Sequence, residues 1–149
     1  MKLAIDSSVL VAMFHAHDAH ANGVHEMFVQ LRARGDSITI SSLVIMEVAV
    51  ALARNQTLEA FPDFEKFFED FHVLPLDAAF TAQFITALRS KPIPLKTSDM
   101  IMVRAAQWAD AALITLDQQM LAQGSKYVRA LTPQQYLDAG GDDHTATAH

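Results

Sequence analysis

The chain has 149 residues, is 51% hydrophobic and 19% charged, and carries a net charge of −6. These values suit one globular domain with a real core and exclude a disordered chain. The acidic balance argues against a broad basic surface for nucleic acid, though not against an enzyme that meets nucleic acid through bound cations. There is no cysteine, which excludes disulfides and thiolate chemistry and makes a reducing cytoplasm the expected setting.

Lys2 to Asp6 (KLAID) reads as a short buried strand closing on a carboxylate, which also makes this N-terminus a poor signal peptide. SVLVAMF then starts a helix. The polar stretch HAHDAHANG follows, with a break expected at Asn22-Gly23. In VHEMFVQLRARG, Val24, Met27, Phe28 and Leu31 recur at helical spacing, and Gly35 ends the pattern. The β-branched alternation of SITIS predicts a strand over Ser37–Ile40. Ser41 or Ser42 then caps an apolar helix through Ala53. Glu47 interrupts that helix, and no apolar stretch is long enough to span a bilayer.

The segment 57–71 looks helical, with Phe61, Phe64, Phe67, Phe68 and Phe71 forming a core-facing aromatic row and Pro62 in its first turn or breaking it. HVLPL is a short strand, and Asp77 caps a helix through Ser90. Two prolines fix the loop KPIPLKT. SDMIMVRAAQWA is a helix, AALIT a strand, and DQQMLAQG a short helix stopped by Gly124. YVRAL suits an edge strand, and Thr132 with Pro133 opens a final helical turn. The domain is expected over residues 1–138, with 139–149 a frayed tail. Strands alternating with helices predict an α/β fold of three layers, with a mostly parallel central sheet between helices on both faces.

Four carboxylates stand out. Asp6 and Asp117 follow apolar runs at the carboxyl ends of strands, where open α/β sheets bind ligands. Helix capping would explain either one. Asp99 sits in the first turn of a helix, where the dipole favours an acid and Ser98 or Thr97 can cap. Glu47 lies among apolar neighbours, and a lone buried carboxylate is costly unless paired or bound to metal. The argument rests on the set. Acids brought to one rim repel unless a cation neutralises them. Mg2+ fits oxygen ligands, and Mn2+ would substitute. Such an ion activates water and stabilises the leaving oxygen of a phosphodiester.

With these residues in order, the chain resembles a PIN-domain ribonuclease, and more narrowly the VapC-type toxin of a toxin–antitoxin pair. The resemblance is carried by IDSSVLVAMF, SSLVIMEVAVALAR and LKTSDMIMVRAAQWADAALITLD. It implies a PIN-like α/β/α fold and an acidic quartet of Asp6, Glu47, Asp99 and Asp117. Asp6, Asp99 and Asp117 would hold Mg2+, while Glu47 binds the ion or acts as base toward the attacking water. Ser8 and Thr115 match hydroxyl positions that support the site. The implied reaction is hydrolysis of RNA to a 5′-phosphate and a 3′-hydroxyl. The implied partners are the RNA substrate, a cognate antitoxin protein and a second copy in a homodimer, with no membrane. Relatives often carry Gly before the last buried strand, where this chain reads Ala109-Asp110; Asp tolerates unusual backbone angles there.

Lys96 and Arg104 lie nearest Asp99 in sequence and are candidate substrate contacts, although ordinary solvated charges have the same appearance. His15, His17, His20 and His25 do not follow a usual zinc spacing and read as exposed. Two other classes of function remain open. An aspartate-based phosphohydrolase would want D-x-D, where the chain has Asp6-Ser7-Ser8. A non-catalytic partner-binding domain would be expected to lack the full quartet.

Overall fold

The computed structural model describes residues 1–140. Five strands form the sheet: β1 (Lys2–Ile5), β2 (Ser37–Ser41), β3 (His72–Leu74), β4 (Ala112–Ile114) and β5 (Ala130–Leu131). Their order is β3-β2-β1-β4-β5, and every pairing is parallel. Six α-helices surround it: α1 (Ser7–Phe14), α2 (Ala21–Arg34), α3 (Ser42–Arg54), α4 (Ala78–Ser90), α5 (Thr97–Ala109) and α6 (Pro133–Ala139). The chain steps from β1 through β2 to β3 in one direction, then from β3 across to β4 and β5 in the other. Right-handed crossovers therefore put α1, α2 and α3 on one face and α4 and α5 on the opposite face. Accordingly α1 packs on α2 and α3, and α5 packs on β1 and β2.

The central strands are apolar because both faces are covered. Leu3, Ile5, Leu113 and Ile114 are fully buried, and Leu3 pairs in register with Ile38 and Ala112. The direction of winding reverses between β1 and β4. Their carboxyl ends thus open on the crevice where such sheets bind ligands.

Several local expectations are corrected. Residues 57–71 form two 3-10 turns, Leu58–Ala60 and Phe64–Phe68, rather than one helix. Pro62 lacks an N–H and pushes Phe61 out of the helical region, to φ −121°, ψ 71°. The aromatic row still faces the core. Phe64 and Phe68 are buried, and the Phe14 ring lies 5.0–5.5 Å from those of Phe61, Phe64 and Phe67. Asn22-Gly23 does not break the chain but lies in the first turn of α2, where backbone N–H groups have no helical partner to lose. Ser41 occupies the N-cap of α3 and makes no side-chain cap, while the Ser42 hydroxyl accepts from the Leu76 N–H. Nor do Thr97 and Ser98 cap α5, whose N-cap is Lys96. The turn after Asp117 is wider than α, a π turn over Met120–Gly124.

Other expectations hold. Asp77 accepts from Phe80 N, Thr132 and Gln135 form a reciprocal capping box, and Asp110 takes the left-handed exit of α5 at φ 51°. The expected tail begins inside α6, which includes Ala139; residues 141–149 lie outside the described residues.

α6 is clasped to the edge of the sheet away from the crevice. The Tyr136 hydroxyl donates to Asp36 at 2.6 Å, and the Arg34 guanidinium lies 4.7 Å from the Tyr136 ring centre. Burial, and next the bond to Asp36, push the Tyr136 phenol from 10.0 up to about 12. A raised value favours the protonated form in the folded state. The clasp therefore acts in full below pH 10 and is lost as pH rises through about 12. Tyr136→Phe should lose about 1–3 kcal/mol at neutral pH, because it leaves a carboxylate under-paired. The gap to wild type should close between those pH values in thermal melts; a constant gap would show that the bond contributes no pH dependence.

Candidate functional site

The site grows from the end of β1. Asp6 continues the ladder by donating its N–H to the Ile114 carbonyl at 3.0 Å, and its extended backbone (φ −76°, ψ 152°) sits at the N-cap of α1. Its carboxylate makes no cap, however. Oδ2 instead accepts from Ser8 Oγ at 2.8 Å and from Thr115 Oγ1 at 2.8 Å. Capping is thereby removed as the reason for this buried acid. Each hydroxyl has one proton to give, and both spend it on Asp6. Their lone pairs serve the far side of the crevice: Ser8 Oγ accepts from Leu116 N, and Thr115 Oγ1 from Asp117 N. Two short hydroxyl side chains thus pin the end of β1 to the exit of β4.

Asp117 divides its oxygens. Oδ1 accepts from Gln119 N at 2.8 Å and Met120 N at 3.1 Å, so the capping reading holds for that atom, and the second oxygen is left over. Glu47 is half-buried on α3, between exposed Met46 and Val50. The helix is therefore not buried all round, as its composition suggests. Glu47 Oε2 accepts from Ser7 Oγ at 3.0 Å. Ser7 is a site residue that the sequence reading missed. Its one visible signal is the doublet Ser7-Ser8 after Asp6.

Asp99 differs from the other three. It is 7% exposed in the first turn of α5, and its Oδ2 is buried with no hydrogen-bond partner. The Lys96 ammonium stands 3.9 Å away. Burial raises the Asp99 carboxyl above its ordinary value; Lys96 opposes the rise, and the charges of Asp117, Asp6 and Glu47 add to it. The charges of the other three acids thus reach Asp99 at the carboxyl edge of the sheet. The donor set is all oxygen and net negative, with one bare buried oxygen, which fits a hard divalent cation. Among the described residues, no three such side chains already converge on one point in ligand geometry.

The two candidate cations differ. Lys96 is largely exposed and faces Asp99. The Arg104 guanidinium is engaged, donating to Lys91 O at 2.8 Å and to Gln107 Oε1 at 2.9 Å. It ties down the loop that leads into α5. In the histidine-rich stretch, His17, His20 and His25 are exposed, and His15 is half-buried.

The PIN domain family matches residues 3–125 of this chain. The chain belongs to the PIN domain family. Among solved structures it is similar to VapBC2 from Rickettsia felis bound to a DNA fragment from their promoter, at 17% identity and a TM-score of 0.65, covering 89% of this chain and 98% of that one. It is similar to PAE2754 from Pyrobaculum aerophilum at 20% identity and a TM-score of 0.65, covering 95% and 96%. It is also similar to FitAcB from Neisseria gonorrhoeae at 15% identity and a TM-score of 0.64, covering 89% and 98%. At these identities the likeness is one of fold. No curated protein gives a significant match.

Proposed function

We propose that this chain is a divalent-metal-dependent endoribonuclease and the toxin of a toxin–antitoxin pair. The observation that carries the reading is the buried Asp99 Oδ2, which has no hydrogen-bond partner and lies close enough to Asp117, Asp6 and Glu47 for their charges to act on it. Membership of the PIN family supports it, as does the fold shared with a toxin–antitoxin complex from Klebsiella pneumoniae and with VapBC-1 from nontypeable Haemophilus influenzae.

Asp6, Asp99 and Asp117 are the residues that would hold Mg2+, or Mn2+ in its place. When bound, the ion supplies Lewis-acid stabilisation of the phosphoryl oxygens and the leaving group. Asp6 offers an oxygen whose direction is fixed by Ser8 and Thr115. The Asp117 oxygen is fixed by its helix cap. Glu47, held by Ser7, accepts the proton of the attacking water. Lys96 meets a substrate phosphate, and Arg104 supports the loop that carries it. Single-stranded or looped RNA suits such a site, because its backbone and bases are accessible.

The antitoxin and a second copy of the chain are the proposed partners, and the cytoplasm the proposed setting. No described helix is long and apolar enough to cross a membrane. Exposed Met46, Val50, Ile85 and Trp108 offer apolar surface for protein contacts. A non-catalytic binding domain is the competing reading, favoured by the absence of a preformed ligand set among the described residues.

Calorimetry with Mn2+ and cleavage of a mixed-sequence RNA on the same sample separate the two. Binding is expected, with cleavage that a chelator abolishes and added Mn2+ or Mg2+ restores. A folded protein that neither takes up metal nor cuts RNA belongs to the competing class.

A further inference from the structure

Lys96 breaks a local rule. Helix N-caps favour Ser, Thr, Asp or Asn, and the helix dipole disfavours a cation there. Thr97 and Ser98 stand next to it, yet Lys96 occupies the N-cap of α5 and makes no cap. The loop that delivers it is stiff. Pro92 and Pro94 alternate with buried Ile93 and Leu95, the Leu95 N–H donates to Ile93 O at 2.8 Å, and Arg104 holds Lys91 O. This arrangement brings Nζ to 3.9 Å from the Asp99 oxygen that has no hydrogen-bond partner. A local violation with strong support around it marks a functional position.

We propose that Lys96 is a resident counter-ion, whose ammonium neutralises Asp99 until a divalent cation takes its place and frees it for a substrate phosphate. The inference rests on the metal-dependent reading above and adds an exchange that reading does not require. The Lys96 side chain is 67% exposed, so it can swing outward without disturbing the core. The same oxygen cannot serve both partners at full strength. Lys96 and the metal therefore compete, while Lys96 and the substrate cooperate.

Calorimetric Mn2+ titration and steady-state cleavage of an oligoribonucleotide at saturating Mn2+ test this on the full chain. Lys96→Gln should bind Mn2+ about 2–5-fold tighter, the range set by removing one partly exposed opposing charge. It should also show a higher KM with little change in kcat. Lys96→Arg should return both quantities toward wild type. Lys126→Gln removes an equal charge from an exposed lysine bonded to Gln123 and should move neither. Unchanged or weaker Mn2+ binding by Lys96→Gln overturns the exchange, even if KM rises, because Lys96 would then be a plain phosphate contact. A wild-type chain that binds no Mn2+ overturns the underlying reading, and the exchange falls with it.

Discussion

Asp99→Asn should melt higher than wild type in the absence of divalent cations and should cleave RNA at least ~100-fold more slowly in their presence. Both halves follow from one oxygen. In the folded chain the Asp99 carboxyl is raised by burial, with a further push from Asp117, Asp6 and Glu47. For an acid with a raised folded value, the stabilising contribution exists below the ordinary carboxylate range and is lost as pH rises through the raised value. At neutral pH the ionised group is therefore a liability in the metal-free protein. Asparagine removes the charge and keeps the shape. The gain should be about 1 kcal/mol, or roughly 2–4 °C for a chain of this size. Loss of the Lys96 pair offsets little of it, because exposed pairs contribute little. The difference should shrink as pH falls through the raised value, where wild type protonates as well. Saturating Mn2+ should reverse the order. Ligand at 100 times its Kd adds about 2.7 kcal/mol to wild type, roughly 5–10 °C, and much less to the variant. A metal-free variant that melts lower, or gains as much from Mn2+, would place Asp99 outside the metal's reach.

Thr115→Val should be the most damaging isosteric change in the site. Thr115 is fully buried, and its hydroxyl both donates to Asp6 and accepts from the Asp117 N–H. Valine keeps the branched shape that suits the strand exit and deletes both bonds. Asp6 keeps Ser8 alone, and a backbone donor loses its acceptor. At about 1–3 kcal/mol for the unsatisfied N–H and about 1 kcal/mol for the bond Asp6 loses, the loss is about 2–4 kcal/mol, with a Tm fall of roughly 5–15 °C. Metal affinity should drop about 10–100-fold, the usual effect of removing a group that orients a ligand. Thr115→Ser retains the hydroxyl and should recover most of the metal affinity. If Thr115→Val binds Mn2+ like wild type, Asp6 does not need its second hydroxyl.

The sheet was legible in the sequence because its strands are short apolar runs closed by polar residues, and burial on both faces demands that pattern. The 57–71 segment misled because phenylalanines three and four apart satisfy an α-helix and a 3-10 turn alike. Pro62, whose effect depends on the residue before it, decided the matter. Glu47 was singled out for being buried among apolar neighbours, but α3 exposes Met46 and Val50, and the residue's real distinction is its bond to Ser7. That bond spans forty residues, and no local pattern announces it. For Asp117, capping and a site role were posed as alternatives, whereas the cap occupies only one of its oxygens. That an Asp99 oxygen is buried with no hydrogen-bond partner could not be read at all, since burial belongs to the folded chain.

The bond between Thr115 and Asp6 joins positions 109 residues apart, across the first strand made and the fourth. No growing chain that stops short of Thr115 can form it, and none that stops short of Asp117 holds all four acids. During synthesis, β1 must wait for β4 before its closing carboxylate is fixed. The proposed nuclease therefore stays without its site until β4 and the residues just after it have been made.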